Sequence, residues 1–170
     1  MKPHLLLATI LLAGTTAYAA DSKPGQTTNA AAAFARLKTL VGEWEADTEM
    51  GKAHLSYELI AGGTALVERF SSDKMAPMLT VYHFNGDRLM LTHYCEAGNQ
   101  PRMLAGPFNP ETGELEFQFL DATNLASASD GHMHSARIRL IDNSHMASEW
   151  QFYEKGERKF TENARYTRVK

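Results

Sequence analysis

The sequence predicts an all-β fold: an up-and-down antiparallel β-barrel of about ten strands with one short N-terminal helix. Three observations carry this. From residue 42 onward, apolar and polar residues alternate with period two. The alternating runs are separated by short turn-forming clusters, among them Ala61-Gly62-Gly63, Asn85-Gly86-Asp87 and Lys155-Gly156-Glu157. Strands joined in sequence order by hairpins make a meander, and closing a meander into a ring removes its two exposed edges.

The helix comes first. Asn29 can cap a helix that begins in Ala30-Ala31-Ala32-Ala33, with Phe34, Leu37, Leu40 and Val41 on one face and Gly42 ending it. A helix this short, with so narrow an apolar stripe, suits covering one end of a larger sheet. Glu43, Glu45, Asp47 and Glu49 then alternate with Trp44, Ala46 and Thr48, which reads as a strand with an acidic outer face and Trp44 inward. After a turn at Met50-Gly51-Lys52, Leu55, Tyr57 and Leu59 share a face. The run Thr64–Phe70 is unusual. Leu66, Glu68 and Phe70 share one face and Ala65, Val67 and Arg69 the other, so a charge points inward in either register.

Met78–Phe84 and Arg88–Tyr94 flank Asn85-Gly86-Asp87, a hairpin signal. A three-residue loop would set Leu79, Val81 and His83 with Leu89, Leu91 and His93 on the inner face, whereas a two-residue loop would mix the faces. Gly98, Asn99 and Pro101 mark the next turn. Arg102–Phe108 and Glu114–Leu120 follow, with Leu115, Phe117 and Phe119 inward. The longest loop, 121–131, is made of small and polar residues. It leads into His132–Ile141, where His132, His134, Ala136, Ile138 and Leu140 are expected inward. Met146, Trp150 and Phe152 face in on the next strand. Phe160, Ala164, Tyr166 and Arg168 do so on the last.

Length and composition bound what this barrel can be. The 170 residues, 44% of them hydrophobic, suffice for one domain with a sizeable core, and a net charge of -3 gives nucleic acid no basic surface. Residues 1–19 read as a signal peptide: Lys2 and His4, the apolar run Leu5–Ala13, then the small-x-small triplet Ala17-Tyr18-Ala19. The run is too short to span a bilayer, and no later segment is long and apolar enough to do so. Residues 20–29 read as a flexible lead-in and 30–170 as the barrel domain, exported to the periplasm or secreted. Without Lys2 the net charge passes from -3 to -4. Cys95 is the single cysteine, so no internal disulfide forms. A lone cysteine is most often packed and inert.

Gly42-Glu43-Trp44 opening the first strand, the meander, and Arg168 on the inner face of the last strand together resemble the calycin group, the lipocalins and fatty-acid-binding proteins. That resemblance implies Arg168 stacked on Trp44 where the ring closes. Over residues 34–169 the chain is also similar to uncharacterised, exported, lipocalin-like bacterial proteins with a Leu-Val-Gly-x-Trp opening and a Thr-His-Tyr-Cys segment. Two departures matter. Tyr166-Thr167-Arg168 reverses the Arg-x-Tyr with which fatty-acid-binding proteins hold a carboxylate. The nitrobindin-like haem barrels, more distantly similar, have glycines after the Trp where this chain has Glu45-Ala46-Asp47-Thr48, and their late His would correspond to His145, expected outward.

Between Leu91 and Met103 the chain gathers a His, a Tyr, the Cys, an Asn, a Gln and an Arg. With His132-Met133-His134, this defines the candidate ligand-facing set: His83, His93, Tyr94, Arg102, His132 and His134. The spacing of His132 and His134 lets both imidazoles reach one metal ion. The plainer reading is rim histidines bonded to carbonyls or to Glu68. His93 and Cys95 share a strand face but lack an orienting third group for nucleophilic catalysis. The function expected is binding of a small, largely apolar molecule in the barrel through these polar anchors. One alternative is an enzyme using the same cavity, by metal-assisted or acid–base chemistry through inward histidines; another is an interaction module in which the barrel is solid and the 121–131 loop carries the contacts. Metal and haem are the cofactors that come into question.

Overall fold

The structure, a computed structural model, describes residues 29–49 and 51–169. The leader read over 1–19 lies outside the described residues, as does the lead-in apart from Asn29. An α-helix, α1 (Ala30–Leu37), runs into a 3-10 turn (Lys38–Leu40). Ten strands follow: β1 (Gly42–Thr48), β2 (Gly51–Ile60), β3 (Ala65–Ser72), β4 (Met78–Asn85), β5 (Arg88–Tyr94), β6 (Gln100–Ala105), β7 (Glu114–Thr123), β8 (His132–Leu140), β9 (His145–Glu154) and β10 (Glu157–Arg168). Each pairs antiparallel with its sequence neighbours, and β10 returns to β1, so the sheet is a closed up-and-down barrel.

The helix end of the barrel is its base. Ala30, Ala33, Phe34, Leu37 and Leu40 are buried, while Val41 is exposed rather than part of the stripe. Asn29 makes no side-chain cap; its backbone carbonyl accepts the Ala33 N–H instead. Phe34 meets Phe84 edge to face at 5.1 Å, tying the helix to the end of β4. Trp44 is fully buried and its indole N–H donates to the Leu40 carbonyl at 2.7 Å. Arg168 stands opposite Trp44 in the β1–β10 register, with its guanidinium 4.1 Å from the indole ring centre. The same guanidinium donates to the carbonyls of Thr39, Val41 and Asn143. One side chain thus joins the helical turn, the first strand, the β8–β9 turn and the last strand.

Turn chemistry sets the register. Gly113, at φ +68°, passes so close to β8 that an added Cβ would sit 2.3 Å from the Leu140 carbonyl oxygen. Its own carbonyl accepts the Leu140 N–H. The β4–β5 hairpin pairs Asn85 with Arg88, leaving the two-residue loop Gly86-Asp87. Thr80, Tyr82 and Phe84 therefore share the inner face with His93, Leu91 and Leu89, and the expected inward set Leu79, Val81 and His83 faces out. Two register shifts matter as well. One, between Arg102 and Met103, leaves Leu120 unpaired in β7. The other, between Met133 and Ser135, leaves His134 unpaired in β8, so that Met133 takes the inner position opposite Phe152.

The ring is not sealed along its whole length. β1 and β10 pair at Trp44–Arg168 and Glu45–Thr167, with the Val169 N–H donating to the Glu43 carbonyl beside them, all near the base. Toward the other end, the Phe160–Asn163 stretch of β10 pairs with β9 and has no partner in β1. The open end is partly roofed by the loops before β6 and β8. Asn99 donates to the Gly131 carbonyl at 2.8 Å, and a Cβ at Gly131 would lie 2.6 Å from the Phe152 ring.

Candidate functional site

The interior is more filled than a hollow lipocalin-type barrel requires. Trp44, Tyr82, Leu91, Met103, Phe117 and Met146 occupy the lower barrel and are fully buried. Above them lies a chamber of about 30 Å³, lined among others by Tyr57, Glu68, His93, Trp150, Glu162 and Tyr166. That is room for one or two water molecules, not for a ligand body.

The chamber is nonetheless highly polar. Glu68, the inward charge that the alternation of β3 requires, is buried. The hydroxyls of Tyr57 and Tyr82 both donate to its Oε2, at 2.7 and 2.6 Å, and Thr80 donates to Oε1 at 3.4 Å. Burial pushes the Glu68 carboxyl above the usual carboxylate range, against the three hydroxyls that lower it. The same burial, with Glu68 beside them, pushes both phenols well up, so they act as donors. Thr80 Oγ stands 3.0 Å from His93 Nδ1. When the single threonine proton goes to Glu68, His93 Nδ1 is the donor in that contact and Nε2 the acceptor. His93 is 5% exposed and lies 4.8 Å from the Trp150 ring, and its Nε2 is buried without a partner among the described residues.

Burial lowers the His93 pKa to about 4, so folding holds the ring neutral. A base depressed in this way contributes stability that is present above the ordinary imidazole value and lost as pH falls through about 4. Glu68 and Glu162 run the other way. Both are raised by burial, so their contribution is present below the ordinary carboxyl value and lost as pH rises through the raised one. His93→Phe is expected to flatten the fall in Tm between pH 6.5 and about 4. Melting curves at a series of pH values check this; an unchanged pH profile in the variant would contradict a buried, neutral His93.

A second, larger cavity of about 490 Å³ opens at the mouth, where β1 and β10 part. Glu49, Met75, Glu96, Phe160, Glu162 and Asn163 line it. Its size suits a small organic molecule. Phe160 stacks on Phe152 at 4.9 Å yet remains 47% exposed, an apolar ring held at an entrance. Glu162 borders both the mouth and the chamber. Burial and the nearby Glu96 both raise its carboxyl pKa.

The sequence-predicted residues are therefore scattered. His93 is at the chamber. His83 faces outward, bonded to the Phe84 carbonyl at 3.1 Å. Tyr94 is outward and 48% exposed, because it follows the inward His93 on a strand. Arg102 is also on the outer face, held by Asp121 through Nε to Oδ1 at 2.6 Å. His132 is buried but faces away from the chamber-lining Met133, and bonds Asp130 O through Nδ1 at 2.7 Å. Its Nε2 meets His134 Nδ1 at 3.1 Å, and His134 stacks on the Tyr153 ring. The two nitrogens thus face each other at hydrogen-bond distance. Among the described residues no group of three or more His, Cys, Asp or Glu is placed to hold a metal ion. Haem does not fit either: the chamber is too small, and His145 is an outward residue bonded to Asp142.

Glu162, absent from the sequence-predicted set, was discoverable. It falls midway between Phe160 and Ala164, both assigned to the inner face, and so shares that face by period two. Cys95 is half-buried against the core, and burial pushes its thiol up. It is expected to react with a disulfide reagent at neutral pH about tenfold more slowly than free cysteine. A rate equal to that of free cysteine would show the thiol is not packed.

No protein-family model matches the chain, and no curated protein matches it. Among solved structures it is similar to a protein of unknown function from the DUF3598 family of Nostoc punctiforme PCC 73102, with TM-score 0.54 and 16% identity. The match covers 78% of this chain and 48% of that one, so this chain spans about half the length of its structural neighbour. At that identity the likeness is one of fold: a ten-stranded antiparallel barrel shared with a protein whose function is unknown.

Proposed function

We propose that the chain binds a small, largely apolar molecule at the open end of the barrel, and that it does so as an exported, calycin-like protein. The observation that carries the reading is the parting of β1 from β10 above Glu45–Thr167, which opens a 490 Å³ pocket with the exposed Phe160 at its entrance. Sequence reasoning expected the ligand inside the ring. The filled lower barrel favours a site at the mouth, with the chamber below as its polar end. Of the six anchors expected from sequence, His93 is the one that borders this space. Export rests on the leader read in residues 1–19 and is tested by N-terminal sequencing of the mature chain.

The binding test uses N-phenyl-1-naphthylamine, a neutral dye that brightens in apolar sites. Saturable binding of one dye per chain is expected, weakened about tenfold in Phe160→Ser through lost apolar burial. Phe160 is half-exposed, so the variant keeps its fold. Binding unaffected by the substitution would place the dye elsewhere and overturn the reading.

A second reading has one observation in its favour. The Glu68–Thr80–His93 alignment leaves Nε2 as an unoccupied base at the chamber, the arrangement acid–base chemistry uses. It calls for a substrate whose reacting proton reaches the chamber through the mouth.

A further inference from the structure

Resting on the mouth as the binding site, we infer that its ligand is an apolar amine, bound as the ammonium with its charged head at Glu162 between mouth and chamber. The first observation is the charge of the lining. Glu49, Glu96 and Glu162 border the mouth, Glu68 and Glu162 border the chamber, and among the described residues neither space is lined by a lysine or arginine. Glu96 is occupied, accepting the Ala76 N–H at 2.9 Å. Glu162 is inward-facing and half-buried, and among the described residues its carboxylate has neither a hydrogen-bond donor nor a counter-cation. An inward carboxylate without a partner is costly unless something cationic completes it.

The second observation is independent of the acids. His93 is 5% exposed, lines the chamber that Glu162 also borders, and has a buried Nε2 with no partner among the described residues. With the Thr80 hydroxyl donating to Glu68, that nitrogen is an acceptor. With four carboxylates in the two linings, the site favours a cationic head group that donates hydrogen bonds. An ammonium does so with three N–H groups; a carboxylate or phosphate head would meet like charge at Glu49, Glu68, Glu96 and Glu162. Trp150 in the chamber and Phe160 at the mouth add aromatic faces that favour a cation over a neutral donor. The apolar body then lies along Phe160 and Met75.

The test compares three probes of one chain length, octylamine, octanol and octanoate, by titration calorimetry on the full chain and on Glu162→Gln. Octylamine is expected to bind about tenfold more tightly than octanol, and octanoate most weakly. In Glu162→Gln, an isosteric change, the difference between amine and alcohol is expected to vanish. Octanol or octanoate binding as tightly as octylamine to the unaltered chain would overturn the amine inference while leaving the mouth as a binding site. So would a preference for the amine that survives in Glu162→Gln. Failure of all three probes to bind would overturn the mouth reading itself, and this inference with it.

Discussion

Glu68→Ala is expected to destabilise the chain by about 3 kcal/mol and lower Tm by about 9 °C. The carboxylate accepts hydrogen bonds from Tyr57, Tyr82 and Thr80 inside a closed barrel wall. Removing it strands two phenolic hydroxyls in side chains no more than 3% exposed. The cost belongs to the stranded donors more than to the lost charge, because burying the charge is itself unfavourable. That makes a sharp control available. The triple replacement Glu68→Leu, Tyr57→Phe, Tyr82→Phe removes the donors along with the acceptor, and is expected to recover most of the lost stability. Urea denaturation of the single and triple variants reads the difference. A triple variant as unstable as Glu68→Ala would mean that the network stabilises the fold by more than mutual satisfaction.

Arg168→Ala is expected to cost about 3 kcal/mol, from loss of the stack on Trp44 and of charge-assisted hydrogen bonds to Thr39, Val41 and Asn143. The loss should be local before it is global. β1 and β10 are joined at so few positions that amides near Trp44 and Thr167 are expected to exchange faster while those of β4 and β5 keep their protection. Arg168→Lys keeps the charge but not the planar fork, and is expected to recover less than half of the loss. Uniform acceleration of exchange across all strands would show that the seam opens only with the whole barrel.

The topology was legible because it rests on local signals: period-two alternation and turn clusters between runs. Closure at Trp44–Arg168 was legible because both residues carry the pattern at the two ends of the chain. The register of β4 on β5 was not. Asn85-Gly86-Asp87 suits a two- or a three-residue loop, and choosing between them flips His83 from one face to the other. The bulge at His134 is hidden for a related reason, since nothing local marks which residue of a strand will go unpaired. Tyr94 and Arg102 were grouped by the density of polar chemistry around them, whereas alternation after His93 sends Tyr94 outward and pairing opposite Thr92 does the same for Arg102. The filling of the barrel depends on how side chains interdigitate across it, which no one-dimensional pattern encodes. Glu68 could be read because neither register of β3 kept charge off the inner face. Glu162 had the same signal, masked by the aromatic and aliphatic residues around it.

The entry point of the ligand is best tested by titrating the isotope-labelled chain with octylamine while following backbone amide and indole signals by NMR. Saturable shifts are expected at Met75, at residues 160–163 and at the Trp150 indole, with Tyr94 and His134 unmoved on the outer wall. Shifts confined to the outer wall, or none at the parting of β1 and β10, would contradict binding at the mouth.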